Sequence, residues 1–162
     1  MKRIVAMFAV VVLVASTGTG VLLWWLSRDH GTQLPQISAY SNGQLTRVGP
    51  YRFCEVRDLN NCVVPAQWGA LTVNSRHPVQ LSVPEQIARA PWILQLAYED
   101  SPVTQLIQFR SNTRMTATIP TVDPNHGRLL GFAVQLPTIA RDAEGNEGEL
   151  PHAEWSVRTN WD

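Results

Sequence analysis

Hydrophobic and polar positions follow one rule before residue 27 of this chain and another after it. From Ile4 to Leu26 no residue carries a charge, and Lys2 and Arg3 stand directly before the run. Twenty-three helical residues, at about 1.5 Å each, reach about 34 Å, enough for a hydrocarbon core of roughly 30 Å. Residues 4–26 are therefore expected to form one N-terminal transmembrane helix, a signal anchor, with residues 1–3 as a cytoplasmic tip. A cleaved signal peptide is the competing reading, with Ala15, Ser16 and Gly18 as small residues near a cleavage site. Its apolar region is usually about 7 to 15 residues. Here Val21, Leu22, Leu23, Trp24, Trp25 and Leu26 prolong the run, which favours retention.

Trp24 and Trp25 fall where an interfacial aromatic belt would sit, followed at once by Arg28 and Asp29. The basic start directs the N-terminus to the cytoplasm. The expected localisation is the cell membrane, single-pass, with the C-terminal domain extracytoplasmic. Ser16 and Gly20 form a small-xxx-small pair that would let a second helix approach closely.

After a polar linker over residues 27–35, the pattern shortens to runs of a few β-forming residues bounded by Pro, Gly, Asn or Asp. Asn42-Gly43 lies between two partly alternating segments, Ile37 to Val48, and predicts a hairpin because both residues accept positive φ. Tyr51 to Val56 reads as a further strand. Seven more follow: Gly69 to Asn74, Val79 to Val83, Trp92 to Tyr98, Val103 to Phe109, Met115 to Ile119, Leu129 to Leu136 and Ala153 to Thr159. Val79, Leu81 and Val83 alternate with Gln80 and Ser82, so one face is core. Trp92 to Tyr98 and Leu129 to Leu136 are apolar on both parities and read as central strands. The one helix-like stretch, Glu85 to Ala90, is fenced by Pro84 and Pro91 and is too short for more than a turn.

Many short strands with regular turns predict an all-β domain over residues 36–162. A tryptophan on the third of the last seven strands resembles the core tryptophan of strand C in immunoglobulin-like domains. The expected fold is therefore an immunoglobulin-like Greek-key β-sandwich ectodomain with an N-terminal hairpin, whose core holds Trp92, Leu94, Phe132, Val134 and Val157.

Charge then limits the partners. Without Lys2 and Arg3 the ectodomain has eleven basic residues against thirteen acidic ones, a formal charge of −2. Nucleic acid is a poor partner for such a surface. Cys54 and Cys62 are the only cysteines, and in an oxidising compartment they read as a disulfide. Their spacing is neither a redox Cys-x-x-Cys nor a zinc set.

Catalytic motifs are lacking: no Gly-x-Ser-x-Gly, His-Glu-x-x-His, phosphate loop or dinucleotide fingerprint occurs. No cofactor is expected. The four histidines are scattered, and His77, Asp123 and His126 are weak metal candidates because an immunoglobulin-like topology would bring their loops to one end. The loop from Pro137 to Pro151 reads as a solvated hairpin tip that keeps the last two strands apart. Its Arg141, Asp142, Glu144 and Glu147, with Trp68 after its Pro-Ala-Gln loop, are partner-binding candidates. The spacing of its carboxylates fails the EF-hand register.

The blocks P-Y-R-F-C-E-V from Pro50, P-V-Q-L-S-V-P from Pro78, A-P-W-I-L-Q-L from Ala90 and E-W-S-V-R-T from Glu154 resemble a family of uncharacterised actinobacterial membrane-anchored exported proteins, catalogued as a domain of unknown function. The resemblance implies export and a single domain, and no active site. The functional expectation is a non-enzymatic binding or accessory module for another envelope protein. Its alternatives are a cell-wall-associated enzyme or ligand carrier, and a small subunit docking to a membrane complex through its transmembrane helix.

Overall fold

A computed structural model describes residues 18–22, 24, 34–141 and 147–162, in two compact units, residues 1–33 and 34–162. In the first unit Gly18–Leu22 and Trp24 are helical. Ser16 and the remainder of the expected anchor lie outside the described residues. Among the described residues no helix is long and apolar enough to cross a membrane.

The second unit is built almost wholly from strands. The Asn-Gly prediction holds: Asn42 and Gly43 adopt φ of 47° and 76° and join β1 (Ile37–Ser41) to β2 (Gln44–Val48). Next come β3 (Arg52–Glu55), β4 (Asp58–Val63), β5 (Gly69–Val73) and β6 (Val79–Ser82), then the single turn α1 (Glu85–Ala88) between its two prolines. The chain continues through β7 (Trp92–Tyr98), β8 (Gln105–Phe109), β9 (Thr116–Ile119) and β10 (Val122–Asp123). It ends in two long strands, β11 (Gly127–Arg141) and β12 (Glu147–Trp161).

One sheet has the order β2-β1-β6-β9, the other β4-β3-β12-β11-β7-β8. All these neighbours are antiparallel. β5 adds a parallel pairing along the C-terminal part of β12, and β10 turns back onto the start of β11. Alternation in β1, β5, β6 and β7 sends one parity inward. Val79 and Leu81 from the small sheet and Trp92, Leu94, Phe132, Val134 and Val157 from the large one belong to a single hydrophobic cluster. Each large apolar side chain so buried contributes roughly 1.5–3 kcal/mol, and the five core residues expected from the sequence are all in it.

Buried aromatics keep their polar atoms paired with loop carbonyls. Trp92 Nε1 donates to Arg114 O at 3.2 Å, Trp155 Nε1 to Pro35 O at 2.8 Å, and Tyr98 Oη to Pro120 O at 3.0 Å. These bonds tie three irregular segments to the core, since an indole or phenol buried without a partner would forfeit its hydration.

Two readings of the sequence need correction. The sequence predicts no strand between Tyr51–Val56 and Gly69–Asn74, but the chain turns at Val56 and Arg57 and returns as β4, which sets Cys54 opposite Cys62 and bridges them across the hairpin. Pro137 to Pro151 do not hold the last strands apart. Thr138 pairs with Leu150, Ile139 with Glu149, and Arg141 with Glu147, so β11 and β12 run on as a two-stranded arm. Prolines suggested a loop because they cannot donate to a ladder. Pro137 and Pro151 face each other at a register shift, where the ladder is already interrupted.

Candidate functional site

The outward parity of β7, β11 and β12 forms the most distinctive surface of the molecule. On this face the central strands place Ala97, Gly131 and Ala133, small residues that leave a shallow groove of about 280 Å³. Gly131 is required by its neighbour: a Cβ there would come within 2.7 Å of Val157 O. Trp68, at the entry to β5, edges the groove. Its ring is 58 % exposed, meets Tyr51 edge-on at a centroid distance of 5.1 Å, and lies 5.8 Å from the Arg158 guanidinium carbon. The two contacts make an aromatic and cationic rim.

Beside the small-residue floor runs a hydrogen-bonded ladder across three strands. Gln95 Nε2 donates to Gln135 Oε1 at 2.9 Å, Gln135 Nε2 to Glu154 Oε2 at 3.2 Å, and Ser156 Oγ to Glu154 Oε1 at 2.7 Å. Sequence reading selected Trp68 and missed the ladder. The available signal was a glutamine in each of two otherwise apolar central strands, Gln95 and Gln135, where a polar residue needs a partner.

The other sequence candidates make local bonds. Asp123 Oδ1 accepts from the backbone N–H groups of Asn125 and His126, at 2.9 and 3.0 Å, and from His126 Nδ1 at 2.7 Å. The Asn125 N–H first, then the His126 ring, hold the Asp123 carboxyl below the usual carboxylate range. The Gln105 carboxamide lies 2.9 Å from the same ring nitrogen. His77 instead places Nδ1 3.1 Å from Asn74 Oδ1, while its carbonyl accepts from Ser41 Oγ. Among the described residues no three His, Cys, Asp or Glu side chains are placed to hold a metal, so the expected approach of His77 to Asp123 and His126 does not produce a ligand set.

Arg141 and Glu147 face each other at the end of the arm, and Asp142 and Glu144 lie outside the described residues. Gly20 is in the N-terminal helix, with nothing within 4 Å of the position its Cβ would take.

His152 sits at the root of the arm, buried beside the ring of Phe53. Its Nδ1 is 3.0 Å from Leu136 O, and a carbonyl can only accept, so that nitrogen carries the proton. Burial, then the nearby Arg52 guanidinium, push the imidazole pKa down from its ordinary 6.5. The ring is a neutral structural element.

These features define a disulfide-stapled, two-sheet β domain with a polar and aromatic outer face and no recognised catalytic constellation among its described residues. The chain belongs to the family described as "Protein of unknown function (DUF2771)", which matches residues 30–160. It is also 54 % identical over 159 residues, 98 % of each chain, to uncharacterised proteins of Mycobacterium bovis and of Mycobacterium tuberculosis strains CDC 1551 and H37Rv. No solved structure matches it.

Proposed function

We propose that this protein is a single-pass envelope protein whose exported domain is a binding module for another envelope protein. Residues 4–26 anchor it with the N-terminus in the cytoplasm, and residues 27–35 are the linker. What supports the anchor is the uncharged run behind Lys2 and Arg3. The family match starts at residue 30, close to the start of the compact β unit at residue 34.

The fold reading is an immunoglobulin-like Greek-key sandwich. In its favour, β6 and β9 pair as strands B and E would, β12-β11-β7 follow the order G-F-C, and β5 runs parallel to β12 as a first strand split between sheets would. β8 then takes an added position beside strand C.

The observation that carries the binding role is the groove at Trp68: an exposed indole and Arg158 beside a floor too small to fill the hollow. Tryptophan and arginine around a recess are the residue types that dominate protein interfaces. The membrane and a second envelope protein are thus the partners, and the groove binds without catalysing. Cross-linking in native membranes followed by capture of the full chain tests this. Trp68→Ala should lose the partner that the wild type retains, and an unchanged set of cross-links would refute the role of the groove. Protease added to spheroplasts of expressing cells should remove the β domain and leave a membrane-bound N-terminal fragment; a protected domain would refute the topology.

A further inference from the structure

We propose that two copies of this chain associate through the outer edge of β8, extending the large sheet across a two-fold axis. Six described strands have an unpaired edge, four at the ends of the two sheets and two, β5 and β10, attached beside β12 and β11. β10 is two residues long and carries Asp123, β5 packs against β2, with Gly69 beside Val48, and three of the other four are guarded. β4 carries Asp58 and a register shift beside its disulfide, β2 carries Arg47, and β9 is only four residues long. Charges, bulges and shortness are the means by which edges avoid pairing with other chains. β8 has none of them: it reads Gln-Leu-Ile-Gln-Phe, its ladder with β7 is regular, and Leu106 and Ile107 are 58 % and 41 % exposed. Among the described residues no strand pairs with its outer edge.

Charge around β8 selects a second copy as the occupant. Ser101 to Phe109 is uncharged. The turn before it carries Glu99 and Asp100, and the turn after it carries Arg110 and Arg114, all four exposed. Antiparallel pairing of two β8 strands lays the acidic turn of each copy beside the basic turn of the other, and symmetry makes this contact twice. Facing residues in an antiparallel pair share one side of the sheet. Leu106 therefore faces its own copy on the outer side, with Ile107 opposite Gln105. This register leaves Arg110 diagonal to Asp100, within reach of a long side chain.

The full-length protein in detergent should be dimeric by light scattering. Under mild oxidation Leu106→Cys should give a disulfide-linked dimer, whereas Leu45→Cys, equally exposed on the guarded β2, should not. Arg110→Glu with Arg114→Glu should weaken association by about tenfold or more through like-charge contact. Adding Glu99→Arg and Asp100→Arg should restore it, which also shows that the variant folds. A monomeric wild type, equal cross-linking at position 45, or a dimer indifferent to charge reversal would overturn the proposal.

Discussion

Trp92→Ala is the sharpest probe of how the two sheets share one core. The indole is fully buried and stacks on Phe109 at a centroid distance of 4.0 Å and an interplanar angle of 16°. Its Nε1 reaches across to Arg114 O. An indole of about 200 Å² is worth up to about 5 kcal/mol of transfer free energy at roughly 25 cal/mol per Å², before allowance for a compact unfolded state. Alanine keeps a little of that area and leaves a cavity, so the expected loss is about 3 to 5 kcal/mol. The freed Arg114 carbonyl adds little, because that turn is exposed and water can replace the indole N–H. Trp92→Phe keeps the stack and loses the hydrogen bond, and should cost clearly less. The assay is urea unfolding of the full chain followed by far-ultraviolet circular dichroism, with Leu150→Ala on the exposed arm as the control, expected within about 0.5 kcal/mol of wild type. A loss under about 1 kcal/mol for Trp92→Ala would refute the placement of β7 at the centre of the core.

His152 makes stability fall with acid. Below pH 6.5, its ordinary value, the unfolded chain takes up a proton that the buried native ring refuses, so stability is retained above that pH and lost as pH falls toward the lower native value. A His152→Gln variant should show a flatter dependence below pH 6.5 in thermal unfolding, and an unchanged slope would assign it elsewhere. Replacing both Cys54 and Cys62 by serine should cost about 2.5 kcal/mol on the chain-entropy account of so short a loop, read as a lower urea midpoint; an unchanged midpoint would refute the bridge as a staple. Gly131→Ala should destabilise by about 1–3 kcal/mol, since the new methyl meets the rigid backbone of β12, and a neutral result in the same assay would show that the strands can part.

Period-two alternation in Val79–Val83 and doubly apolar runs such as Trp92–Tyr98 determined the strands and the core residues, because burial on one face leaves its mark on every second position. Asn42-Gly43 determined a hairpin because two adjacent positive φ values are expensive for most other residues. Local chemistry of this kind needs no distant partner. Pairing does. Whether Gln105–Phe109 lies beside β7 or β9, whether Pro137 and Pro151 end a ladder or face each other at its interruption, and whether Asp58–Val63 returns as β4 depend on contacts between segments far apart or on a register the composition does not encode. The groove is the clearest case. Trp68 was legible as an aromatic in a loop, but Gly131, Gln135, Glu154 and Arg158 become a surface only when β11 and β12 align in register, and that alignment is decided by the buried side chains on the opposite face.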